Sequence, residues 1–167
     1  MHDLESISSP RIGFAREHAR KAFQCCAHCF PEGFPNSLET AIQHVIPGYQ
    51  LIPLSSLKEI SAITIKDKKL IGYNTNHAPV RTRFSIAHEI GHIRVDHPDG
   101  VFDLQGNNPV FETEANTFAA EFLVPLHTLK AVFKSIRDPV KLAKYFLISK
   151  ESMFYRLQEA RLLKSIL

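Results

Sequence analysis

No apolar run in this 167-residue chain approaches the ~20 residues that a membrane-spanning helix needs. The first residues, Met1 to Ser9, contain no hydrophobic secretory core, so the chain is expected in the cytoplasm. Internal repeats and low-complexity linkers are missing too. The formal net charge of +3 is too small to argue for nucleic acid by itself. Cysteine is scarce and oddly placed: Cys25, Cys26 and Cys29 fall within five residues, beside His28. An odd, local cluster is a poor disulfide framework and suits a reducing compartment. Cys26-x-x-Cys29 is half of a zinc site with no second cysteine pair to complete it, so these residues read most simply as free thiols at a helix end.

Against these absences stand 44% hydrophobic and 22% charged residues, the balance of a globular protein that can bury a core without disulfides. The length fits a single domain over 1–167. Residues 1–35 would form an N-terminal helix and cysteine-containing loop, and 126–167 C-terminal helices packed on the core. Ser9-Pro10 is a helix start, and the apolar spacing predicts a helix over 10–28. Asn36 with Glu39 resembles a capping box for a short helix that Pro47-Gly48 ends. Tyr49 to Leu54, Ile60 to Ile65 and Leu70 to Tyr73 are β-rich, with Asp67-Lys68-Lys69 as a hairpin turn. They predict a small, largely antiparallel three-stranded sheet. Helices then follow over 80–95, 110–124, 126–136, 139–147 and 149–163, with a loop from Val101 to Asn108. The class is α+β and mainly helical.

The stretch from Arg83 to His92 carries the chemistry. His88-Glu89-Ile90-Gly91-His92 is an H-E-x-x-H pattern. Four helical residues advance a side chain by about 40° net, so both imidazoles leave one face and can grip one metal ion. Glu89 lies about 100° around from His88, where it can reach a metal-bound water as a general base without being a ligand. So short a pattern also arises by chance on helices whose histidines are mere surface groups. Three features of context oppose that: an amphipathic helix, a glycine at 91 that lets another backbone come close, and an acid-bearing helix after the next loop.

A catalytic zinc keeps three protein ligands and one open position. For the third ligand, Glu112 is the first choice and Glu114 the second. In glutamate-type zinc peptidases an acid or amide four residues after the ligand glutamate orients a ligand histidine, and Glu112-x-x-x-Asn116 has that spacing. A ligand imidazole needs its other ring nitrogen bonded to set its tautomer. His97 competes, but it follows His92 by five residues rather than the six of metzincins, with no intervening glycine. A histidine near a helix end is more often solvated than metal-bound. Tyr73, His77 and His97 are candidate oxyanion donors that the sequence does not separate.

Arg81-x-Arg83-Phe84-Ser85-Ile86-Ala87-His88-Glu89-Ile90-Gly91-His92 and the block from Glu112 to Pro125 together resemble the ImmA/IrrE metallopeptidases. The resemblance runs from about residue 36 onward and carries little of the cysteine-bearing helix. It implies a zincin-like fold with the sheet packed on the active-site helix and a Zn2+ cofactor. It also implies His88, His92 and Glu112 as ligands and Glu89 as the catalytic glutamate; Glu114 and Asn116 match positions in the second block. The function implied is an intracellular bacterial endopeptidase that cuts a helix-turn-helix transcriptional repressor, relieving repression in a mobile-element or stress-response circuit. The chain's length implies a stand-alone member acting on a partner in trans, although not every member of the family has shown protease activity.

The last third is basic, and Leu142 to Ser149 with the helix bearing Tyr155-Arg156-Leu157 has the cadence of a helix-turn-helix. The rival function is therefore a non-catalytic, zinc-containing DNA- or repressor-binding module. The simpler account has Leu142, Phe146, Met153, Leu157 and Leu162 facing the core, which argues against direct nucleic-acid contact.

Overall fold

The computed structural model describes residues 9–98 and 108–166. The expected loop of Val101 to Asn108 falls outside them but for its last residue. Among the described residues are seven helices, α1 (Ile12–Cys26), α2 (Leu38–Val45), α3 (Pro79–Arg94), α4 (Pro109–Leu123), α5 (Leu126–Phe133), α6 (Pro139–Phe146) and α7 (Lys150–Glu159). Three strands, β1 (Gln50–Leu54), β2 (Ala62–Ile65) and β3 (Leu70–Asn74), complete a mainly helical α+β architecture.

Local chemistry explains most boundaries. Pro79, Pro109 and Pro139 open α3, α4 and α6, where a missing backbone N–H costs nothing. Asn108, Asp138 and Ser149 cap α4, α6 and α7 with side-chain oxygens. At α2 the cap is Ser37, whose hydroxyl accepts from Thr40 N–H, rather than Asn36. Asn36 instead donates to Glu32, and its carbonyl is taken by Arg83.

The sheet is mixed rather than largely antiparallel. β2 and β3 form the expected hairpin, with Lys69 left-handed at its turn. β1, however, pairs in parallel with β3 over its full length, from Gln50 opposite Leu70 to Leu54 opposite Asn74. The order is β1-β3-β2. Because β2 runs back and β3 inserts between the first two strands, β3 necessarily runs in the direction of β1. Gly72 allows this close pairing, since a Cβ there would sit 2.6 Å from Leu54 Cδ1.

Helix α4 is the centre of the core. Phe111, Ala115, Phe118, Ala119, Phe122 and Leu123 are buried, and so are Glu114 and Glu121, so more than half of its circumference is covered. Ala15, Ala19 and Ala22 give α1 a stripe of small residues, all at 0% exposure, and α1 packs against α4. On another side α3 approaches closely. Gly91 makes that approach feasible, because a Cβ would lie 3.1 Å from Phe118 Cδ1 and 3.2 Å from the Ala115 carbonyl oxygen. Both β2 and β3 contact α3.

Leu142, Phe146, Met153 and Leu157 join the same buried cluster, while Leu162 is partly buried against it. Arg156 is 3% exposed. Its guanidinium binds the Val124 carbonyl at the end of α4, the Glu121 carboxylate and, at 2.9 Å, Glu159 Oε2. The helix-turn-helix cadence is thus a corner, with Leu147 left-handed at φ 57, folded onto the core.

Candidate metal centre

His88 and His92 stand one turn apart on α3, and Glu112 enters from the first turn of α4. Their ligand atoms converge: His88 Nε2 and His92 Nε2 are 2.8 Å apart, and the Glu112 carboxylate oxygens lie 3.2 Å from the first and 3.4 Å from the second. Adjacent N and O ligands on a tetrahedral zinc would be about 3.3 Å apart. This His-His-Glu group is compatible with a metal site.

Each imidazole is held from behind. His88 Nδ1 lies 2.9 Å from Asn116 Oδ1, so as the donor it leaves Nε2 with a free lone pair. His92 Nδ1 lies 2.8 Å from His97 Nδ1, and His97 Nε2 lies 3.0 Å from Glu114 Oε2. A carboxylate only accepts, so His97 donates from Nε2, accepts at Nδ1, and obliges His92 to donate from Nδ1. The network therefore assigns His92 the tautomer that presents Nε2 to a metal. Arg11 anchors the far end, donating its backbone N–H and Nε to Glu114 Oε1 at 2.8 Å each and Nη2 to Oε2 at 2.7 Å.

His97 reaches this place through a turn that the sequence hid. Asp96 adopts a left-handed φ of 58, and His97 N–H returns to the His92 carbonyl at 3.0 Å. An aspartate tolerates that conformation, so no glycine was needed. His97 is neither solvated nor grouped with the three converging side chains. It is fully buried, stacks on Phe111 at 4.6 Å, and has both ring nitrogens engaged.

Glu89, 7% exposed, projects toward the sheet side of α3, where Thr64 of β2 donates its hydroxyl to Oε2 at 2.6 Å. Thr64 was not recognised from the sequence. Its only signal was a polar residue amid the apolar Ala62-Ile63-Thr64-Ile65.

The environment sets the charges. Burial raises the Glu89 carboxyl above the ordinary glutamate value, with Thr64 and His88 pulling the other way. Hydrogen bonds to His88 and then His92 hold Glu112 well below the usual carboxylate range. Burial pushes His92 down to about 4 and lowers His97 as well. His88 is raised, since Glu112 and Asn116 outweigh the opposing effect of its burial. For Glu114, burial opposes ionisation, but Arg11 and His97 outweigh it and lower the carboxyl. The arrangement thus favours ionised Glu112 and Glu114 with neutral His92 and His97.

Tyr73 and His77 do not join the group. They line a groove of about 330 Å³ with Asn36, Thr82, Arg83 and Ile86, beside the N-terminal half of α3.

Residues 51–158, which include every member of this group, match the family model of the IrrE N-terminal-like domain, Peptidase M78. The chain belongs to that family. A metallopeptidase relationship follows for the His-His-Glu group, consistent with the ImmA/IrrE resemblance. No curated protein matches the chain. Among solved structures, a Mycobacterium tuberculosis transcriptional regulator superposes with a TM-score of 0.65 over 88% of this chain at 17% identity. That likeness shows the fold alone, and the Peptidase M78 chain described here spans 48% of the regulator's length. No described helix is long and apolar enough to cross a membrane.

Proposed function

We propose that the protein is a zinc-dependent endopeptidase of the cytoplasm whose substrate is a helix-turn-helix transcriptional repressor, cut to relieve repression in a mobile-element or stress-response circuit. The observation that carries this reading is the convergence of His88, His92 and Glu112 with the buried Glu89 on the same helix. The regulatory setting agrees with the name of the structural neighbour, a transcriptional regulator.

His88, His92 and Glu112 would hold the metal, and zinc bound there would lower the pKa of a coordinated water toward ~7 and polarise a peptide carbonyl. Glu89 accepts the proton of the attacking water and passes it to the leaving amine. Burial makes its carboxylate a stronger base than a solvated one, and Thr64 holds the carboxylate in place from β2. Asn116 orients His88, while His97 and Glu114 orient His92. The groove beside Tyr73 and His77 receives part of the substrate. The chain works as one metallopeptidase-like unit, with α1, α6 and α7 supplying core around the centre. The rival reading as a DNA-binding module loses a key side chain, because Arg156 is buried in ion pairs.

Co-expression with a helix-turn-helix repressor that is its substrate should give one discrete cleavage. Glu89→Gln should abolish that cleavage while zinc content stays; cleavage persisting in the variant would sink the mechanism.

A further inference from the structure

Three cysteines within five residues end up in three different environments. Helix α1 ends at Cys26, and a 3-10 turn over Ala27–Cys29 then redirects the chain. Cys25 is exposed and donates to the Lys21 carbonyl. Cys26 is fully buried, donates back to the Ala22 and Phe23 carbonyls, and has its thiol pushed up to about 12, chiefly by burial. Cys29 alone turns toward another element. Its Sγ lies 3.4 Å from Nε2 of His44, in the last turn of α2.

His28 completes the arrangement. Its ring stands edge-on to that of His44, with centroids 4.9 Å apart and planes at 83°. One ligand atom from each of His28, Cys29 and His44 can be chosen so that all lie within 4.8 Å of one another. Adjacent sulfur and nitrogen ligands of a tetrahedral zinc would be about 3.6 Å apart, close to the 3.4 Å observed between Cys29 and His44. We propose that His28, Cys29 and His44 form a second metal site, taking a thiophilic divalent cation of zinc's class, with a fourth position open to solvent.

The donor set decides the class of ion. A thiolate with two imidazoles suits Zn2+, Co2+ or Cu2+, whereas Mg2+ and Ca2+ demand oxygen ligands. Cys29 is half-buried and His44 exposed, so an ion can enter from solvent, and Cys29 releases its thiol proton to water as the sulfur–metal bond forms. The backbone beneath the ligands is already held. Leu38, Ile42 and Val45 bury α2 in the core, and Arg94 of α3 donates to the Val45 carbonyl at 3.3 Å, next to His44. Less chain entropy is therefore lost when the ion binds.

The site's position gives it a purpose. All three residues precede residue 51, outside the stretch that matches the family model, so the site is additional to the His-His-Glu centre and independent of the peptidase reading. An ion there clips the end of α1 to the end of α2, closing the loop between Cys29 and His44. That loop is what Arg83 of the motif helix grips, through the Pro35 and Asn36 carbonyls. Occupancy thus restrains the segment that lies against α3.

Cobalt titration of the full chain tests this directly. The His-His-Glu centre has no sulfur, so a near-ultraviolet thiolate-to-cobalt charge-transfer band reports on the second site alone. The expected result is a band that saturates within two equivalents of Co2+, the sulfur-free His-His-Glu centre taking the other equivalent, that yields to added Zn2+, and that disappears in Cys29→Ser with the circular dichroism unchanged. His44→Ala and His28→Ala should each weaken cobalt binding at least about tenfold, as loss of a ligand costs no less than loss of an outer partner. Cys25→Ser should leave the band intact. No band in the native chain, a band that persists in Cys29→Ser, or one that follows Cys25 would overturn the assignment, as would unchanged affinity in His44→Ala.

Discussion

His92 and His97 meet through their Nδ1 atoms at 2.8 Å, the second imidazole standing directly behind the first. Only one tautomer of each ring satisfies this contact together with the His97–Glu114 pair. The first consequence is quantitative. His97→Ala should lower zinc affinity by about 10–100-fold without abolishing binding, and Glu114→Gln should act in the same direction. Glu112→Ala should lose the metal outright. Competition with a chelator, read as metal content, separates these variants; loss of metal in His97→Ala equal to that in Glu112→Ala would make His97 a ligand instead.

Thr64 holds one oxygen of Glu89 across the gap between sheet and helix. Thr64→Val keeps the shape and removes the donor. Peptidase kcat should fall about tenfold, less than the ~10²–10⁴-fold that loss of the general base itself would cost, while zinc content and thermal stability stay near native. A variant with native turnover would mean that Glu89 is positioned by something other than this hydroxyl.

Gly91 sits where α3 touches α4. Alanine there should cost about 1–3 kcal/mol by overpacking, and it should also weaken metal binding, since Glu112 reaches the histidines only across this contact. Urea unfolding and zinc titration of Gly91→Ala measure both effects. Stability lost with metal affinity intact would show that the two helices can separate without moving the ligands.

Arg156 serves the core. Arg156→Ala leaves the buried carboxylate of Glu121 with only the more exposed Arg20, 3.0 Å away, and should destabilise the protein by about 1.5–3 kcal/mol. Denaturant midpoints will test this, and a loss below 1 kcal/mol would contradict the buried pairing.

The buried thiol of Cys26, with its pKa pushed up to about 12, remains protonated at neutral pH. Thiolate is the reactive form, so alkylation of the metal-free protein at pH 7 should label Cys25 and Cys29 and spare Cys26 until the chain unfolds. The sign follows from the shift: raising the pH toward 12 increases the thiolate fraction. Mass spectrometry of native and denatured protein reads the difference.

The periodicity of the chain and its helix signals determined the helices, since Pro79, Pro109, Pro139, Asp138 and Ser149 act on backbone groups within a few residues of themselves. The same locality made His88, Glu89 and His92 legible, because one turn of helix settles which side chains share a face. The motif also pointed to Glu112 and Asn116, which the fold brings beside the histidines. What remained out of reach depended on partners far along the chain. The parallel pairing of β1 with β3 follows from where β3 inserts, which no strand's own composition records. Thr64 reaches Glu89 from 25 residues away, and Arg11 reaches Glu114 from 103. His97 and Arg156 look like solvent-facing groups by type, yet a left-handed Asp96 and a folded-back α7 bury them against carboxylates. Cys29 and His44 likewise look unrelated in sequence, and become neighbours only because α2 packs beside the end of α1. Local sequence thus determined which groups are presented along each helix. Tertiary packing decided what stands behind them, because a hydrogen bond or a ligand set between distant residues exists only once the chain has brought their elements together.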